Sequence, residues 1–217
     1  MTIRPSSDRA QTLAEEVANA VSHGIGLLLA AASLPVVVWF AARHGDAANV
    51  VAASVFSATM LLLYAVSTLY HALPHGRTKR VFNRLDHAAI YVFIAGSYTP
   101  FTLGVLRGGW GWSLFGLVWA CAAAGVALKL FNRLSQPWLS TGLYVAMGWL
   151  VLIAIVPLVQ RIAPAGLAWL VAGGLLYTLG AVFYLFDSRF AFAHTVWHLF
   201  VLGGSASHFF AVLWHAA

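Results

Sequence analysis

Charge is the scarcest property of this sequence. Twelve Lys or Arg and six Asp or Glu among 217 residues make 8% charged, against 61% hydrophobic. Soluble domains carry about 25% charged residues, so an ordinary soluble domain is excluded. Cysteine is nearly absent too. The single Cys121 excludes an internal disulfide and, flanked by Ala120 and Ala122 within an apolar run, is expected to pack as a small apolar residue. No internal repeat or low-complexity tract is present, nor the alternating pattern of a membrane β-barrel. The stretch before the first apolar run contains Glu15 and Glu16 and lacks a short apolar core with a small-residue cleavage site. It does not read as a signal peptide, and the first helix is expected to stay in the mature protein. The formal charge of +6 sits in short segments between apolar runs, where membrane topology accounts for it, so nucleic acid is discarded as a partner.

What remains is long apolar runs. The mean hydropathy is +0.84, and one span of a bilayer needs about 20 residues, so the chain has room for about seven spans and little else. They fall at 17–43, with Pro35 as a kink site, then 50–73, 85–106 and 110–130. A fifth follows Pro137 and ends near Val159, with Pro157 disturbing its end; the last two cover 164–186 and 191–216. The expected fold is all-α: one polytopic seven-transmembrane-helix domain over 1–217, with a short polar tail at 1–15. Segment 74–84, with Arg77, Lys79, Arg80 and Arg84, reads as a strongly basic loop. With the N-terminus in the cytoplasm, the inner side holds Arg4, Arg9, Arg77, Lys79, Arg80, Arg84, Lys129, Arg133 and Arg189. Only Arg43, Arg107 and Arg161 fall outside. The positive-inside rule therefore predicts a cytoplasmic N-terminus.

Polar residues inside spans are costly and usually face the bundle interior, so their depth is informative. Glu16, Asn19 and His23 share one face of the first span; Ser67 and His71 end the second; Asp86 and His87 open the third; His194 and His198 open the seventh. All lie at the N-terminal depth, whereas the opposite end holds mainly His44, Asp46 and His215. Residues four apart return to nearly the same helix face about 6 Å further on, so His194 and His198 can point at one ion. With His71 they make three imidazole ligands, a donor set that favours zinc and leaves a fourth position open. Asp86 is then placed to take a proton from an attacking water, and Ser67 to donate to a developing oxyanion or orient a carbonyl.

Simpler roles compete. Asp86 could pair with Arg84 or Arg80, Ser67 could bond back to the Leu63 carbonyl, and His23 is read as a structural partner of Glu16. His87 should face away from the site, and His208, about 15 Å along its helix from His198, is read as a core histidine. Trp110, Trp112, Trp138 and Trp169 fit interfacial belts.

The segments Glu16-x2-Asn19-x3-His23, Ser67-x3-His71 followed by Asp86, and His194-x3-His198 resemble the three motifs of the progestin and adipoQ receptor superfamily. Leu85-Asp86-His87-Ala88-Ala89-Ile90-Tyr91 through Ala95-Gly96-Ser97-Tyr98-Thr99-Pro100-Phe101 resembles its bacterial hemolysin III branch. The resemblance covers all seven spans. It implies zinc held by His71, His194 and His198, an aspartate at Asp86 acting through a water, and Ser67 near the metal. The alkaline ceramidases are similar in motif and hydrolyse lipid amides. A multi-pass protein of a bacterial inner membrane is the implied setting, with membrane lipids as partners.

Three functions follow as expectations. The first is a zinc hydrolase acting on a lipid amide or ester near the cytoplasmic leaflet. A membrane sensor or receptor-like protein with structural zinc is the second. The third is a cytolytic, pore or transport protein, for which the sequence offers no secreted amphipathic segment and no chain of charges crossing the membrane.

Overall fold

The computed structural model describes residues 10–216. Arg4 and Arg9 of the topology argument lie outside the described residues. Among those described, seven helices are long and apolar enough to cross a membrane, and the chain is a multi-pass membrane protein. The first two are α1 (Leu13–His44), which carries Pro35 without a break, and α2 (Ala47–Ala72). Helix α3 (Arg77–Pro100) runs on through a π turn at Phe101–Val105, and α4 is Gly109–Leu130. The fifth span is interrupted: α5 (Pro137–Gly148), a 3-10 stretch at Trp149–Ala154, and α6 (Ile155–Arg161). Helices α7 (Pro164–Leu185) and α8 (Ala193–His215) complete the bundle.

Local chemistry sets the helix starts. The Thr12 hydroxyl accepts from Glu15 N–H while the Glu15 carboxylate accepts from Thr12 N–H, a reciprocal cap for α1. Asp46 caps α2 in the same way with Asn49. Arg107, between α3 and α4, donates to both oxygens of Asp46, at 2.6 and 3.0 Å. Its guanidinium holds the Asp46 carboxyl down at about 2, so the pair stays charged through the neutral range.

Two expectations change. Most of the basic segment 74–84 is helix, because α3 begins at Arg77. Lys79 explains how so polar a turn docks. Its Nζ donates to the carbonyls of Tyr70 (2.8 Å) and Leu73 (3.1 Å) at the end of α2 and pairs with Glu16 at 3.1 Å. The last carbonyls of a helix lack internal donors and attract a cation. In the fifth span the disturbance begins well before Pro157. There the Tyr98 hydroxyl accepts from Val151 N–H at 2.9 Å and donates to the Gly148 carbonyl, satisfying groups that the interrupted ladder leaves free.

Helices α1, α2, α3 and α8 pack in sequence, α1 against α2 and α8, and α2 against α3, while α7 lies on α8. Close approach is needed where α2 meets α3: a Cβ on Gly96 would overlap the Thr59 side chain. Gly96→Ala is therefore expected to cost about 1–3 kcal/mol by overpacking. It should lower the midpoint of thermal unfolding in detergent. Gly116→Ala, where an added Cβ meets nothing within 4 Å, should not.

Candidate metal centre

His71 sits in the last turn of α2, and His194 and His198 in the first two turns of α8. The start of α8 is fixed from outside. Phe192, in the left-handed region at φ 59°, turns the chain into the helix, and its N–H donates to Glu15 Oε1 at 2.9 Å. A bulky residue takes that conformation only when its surroundings enforce it. Glu15 thus ties the entry of α8 to the entry of α1. One ring nitrogen from each of His71, His194 and His198 lies within 4.8 Å of the others, and all three residues are buried.

Hydrogen bonding decides which nitrogen each ring offers. His71 Nδ1 lies 2.8 Å from Glu16 Oε2, and His194 Nδ1 2.8 Å from Asp187 Oδ2. His198 Nδ1 faces the Asn19 carbonyl at 3.3 Å and Ser22 Oγ at 3.1 Å, with the Ser22 hydroxyl itself donating to that carbonyl. Carboxylates and carbonyls only accept, so each Nδ1 carries the proton and each Nε2 keeps a bare lone pair. All three Nε2 atoms are buried and have no hydrogen-bond partner among the described residues. Three bare, converging imidazole nitrogens are what a divalent transition metal requires, and such buried acceptors would otherwise be costly to leave unpaired. The three histidines could therefore hold a metal ion.

The Nδ1 partners form the outer layer of the site. A carboxylate behind a ligating histidine fixes its tautomer and raises its basicity. Glu16→Gln and Asp187→Asn are each expected to weaken metal affinity about 10- to 100-fold while leaving one site per chain. Competition titration against a chromogenic chelator measures this directly.

Ser67 and Asp86 meet the cluster through His23. His23 Nδ1 lies 2.7 Å from Ser67 Oγ, and the His23 ring stacks on His198 at a centroid distance of 3.4 Å. His23 and Asp86 also line a cavity of about 230 Å³, whose walls come mainly from α3, α5, α7 and α8. Its walls are chiefly apolar, with residues such as Phe93, Leu114 and Val201.

The structure brings together His71, His194 and His198, and sets Ser67 beside Asp86. It corrects the role given to His23, which bonds Ser67 while Glu16 goes to His71 and Lys79. Helix geometry is the reason: at the start of α1, Glu16 meets the end of α2, and His23, two turns deeper, reaches Ser67 one turn before His71. Ser67 is engaged with His23 in place of the Leu63 carbonyl. Asp86 has no ion pair with Arg80 or Arg84. His87 faces elsewhere as expected, bonding the Tyr184 hydroxyl at 2.9 Å and the Asn83 carbonyl. Sequence reasoning missed Asp187 and Lys79. Asp187 carried one usable signal, a carboxylate seven residues ahead of a ligand-spaced histidine pair.

Residues 11–209 match the family model described as haemolysin-III related. The chain is 45% identical over 205 residues to Hemolysin-3 of Bacillus cereus, covering 94% of this chain and 93% of that one. It is 46% identical over 204 residues to the Hemolysin-3 homolog of Bacillus subtilis (strain 168), covering 94% and 95%. A more distant similarity, 30% over 213 residues, links it to the human monocyte to macrophage differentiation factor, with 93% and 84% covered.

Proposed function

The chain belongs to the haemolysin-III related family, and from that membership and the three-histidine cluster we propose a zinc-dependent membrane hydrolase. Its substrate would be the amide or ester of a membrane lipid, cleaved near the cytoplasmic leaflet of a bacterial inner membrane. The observation that carries this proposal is the set of three bare Nε2 atoms, with His23 joining Ser67 to His198 and Asp86 on the wall of an apolar cavity. Positive residues at the N-terminal end of the bundle, including Arg77, Lys79 and Arg80, support the cytoplasmic side.

Zinc bound by His71, His194 and His198 would supply Lewis-acid chemistry and leave one position for reactants. The protein's own residues do the rest. The cavity takes the acyl chain and excludes bulk water from it. Asp86 accepts the proton of the attacking water and can return it to the leaving nitrogen or oxygen. Ser67, oriented by His23, donates to the carbonyl oxygen as negative charge develops. Glu16, Asp187 and the Asn19 carbonyl keep the three ligand rings in one tautomer.

One observation favours a second reading. His23 and Asp86 line the cavity, but none of the three ligand histidines does. A zinc ion sealed from the cavity would be structural, tying the end of α2 to the start of α8 in a sensor-like protein. The discriminating assay uses protein in lipid nanodiscs, offered long-chain N-acyl amides and esters, with released fatty acid measured by mass spectrometry. A hydrolase releases acid, stops on chelation and recovers with zinc. Fully metallated protein that turns over none of these lipids would establish the structural role.

A further inference from the structure

Two hollows lie near the metal centre, and they differ in whether they touch it. None of the three ligand histidines lines the apolar cavity, whereas His71 lines an open groove of about 590 Å³ where the start of α1 meets the end of α2. One face of α1, with Leu13, Val17 and Val21, forms its apolar side. Glu16 and Lys79 are its charged groups, and both are partly exposed, at 11% and 9% of the side chain. The His71 side chain is fully buried.

One carboxylate is shared between the groove and the ligand. Glu16 Oε2 lies 2.8 Å from His71 Nδ1, and Oε1 pairs with Lys79 Nζ at 3.1 Å. Lys79 gives its other two N–H donors to the Tyr70 and Leu73 carbonyls, so the ammonium is fully engaged. Glu16 thus touches the groove on one side and the Nδ1 edge of His71 on the other, while the Nε2 edge of that ring is turned to the other two ligands. A metal site needs an entry path as well as ligands. A carboxylate attracts an incoming cation, and an ammonium bound to the same carboxylate repels it. When Lys79 withdraws, Glu16 is free to take the cation, and the released His71 ring can turn to receive it.

We propose that this groove is the route by which metal enters and leaves the three-histidine centre, with Glu16 as the carboxylate that first takes the cation and Lys79 as the gate that holds the route closed. This role rests on the three-histidine reading above and governs rates, whereas that reading governs occupancy.

Exchange rates of the full-length protein in nanodiscs test this. Zinc uptake by the metal-depleted protein, and zinc loss to a chelator, are followed with a fluorescent zinc indicator. Ala72→Cys and Val17→Cys place a thiol at exposed positions of the groove, and Leu152→Cys at an exposed position beside the apolar cavity. Each is made with Cys121→Ser and labelled with a bulky maleimide. The two groove labels are expected to slow uptake and loss about tenfold. Final content should stay at about one zinc per chain, which shows that the labelled protein is folded. The label at Leu152→Cys should change neither rate. Lys79→Met, which removes the ammonium, should speed both. Groove labels that leave the rates unchanged, or a Leu152→Cys label that slows them equally, overturn the route, and Lys79→Met at the wild-type rate overturns the part given to Lys79. Unlabelled wild type that binds no zinc overturns the three-histidine reading beneath it.

Discussion

Purified His198→Ala protein is expected to carry almost no zinc, and the wild type about one ion per chain. His198 is the most deeply buried of the three ligands, and its Nδ1 is committed to the Asn19 carbonyl, so only Nε2 is available to a metal. Two ligands do not make a closed or a catalytic zinc site. Elemental analysis would show the loss, with His44→Ala as control, an exposed ring at the other end of α1. The alanine also removes the stack with His23, so ligand loss has to be separated from a folding defect. A ligand that binds only the folded state stabilises it, by about 2.7 kcal/mol at a hundredfold excess over its dissociation constant. Added zinc should therefore raise the thermal midpoint of metal-depleted wild type and leave that of His198→Ala where it stands. A variant that keeps its zinc removes His198 from the ligand set.

The second large effect is on chemistry alone. Asp86→Asn keeps the shape of the side chain and its contact with Ser67 but removes the proton acceptor. Turnover of a lipid substrate should fall about 10²- to 10⁴-fold, the usual contribution of a positioned general base. Zinc content should stay at the wild-type level, because Asp86 stands outside the three-histidine cluster. Activity that survives the substitution would deny Asp86 its role as base. Loss of zinc would make Asp86 a ligand.

Much of the architecture is legible in the residues because a bilayer imposes a simple rule on them. Seven apolar runs become seven spans, and polar groups placed at one depth meet there: Ser67, His71, Asp86, His194 and His198 gather at one end of the bundle. What escapes is decided by contacts between helices. Nothing local says that the basic turn at Arg77–Arg84 is helical, since its docking depends on Lys79 reaching carbonyls of α2 and Glu16 of α1. The 3-10 stretch at Trp149–Ala154 needs a hydroxyl from Tyr98, about fifty residues earlier in the chain. His23 and Glu16 share a helix face, which suggests a pair. Their true partners, Ser67 and His71, are on α2 and emerge only once α1 and α2 are set side by side. His208, read from the sequence as a core histidine, is half-buried and lines the cavity.

X-ray absorption at the zinc edge, on wild-type protein purified from zinc-supplemented cells, tests the three-histidine site most directly. The expected spectrum is a shell of three imidazole nitrogens and one oxygen at about 2.0–2.1 Å, with the outer scattering characteristic of histidine rings. A shell of oxygens without imidazole scattering, a sulfur contribution, or no bound zinc at all would contradict it.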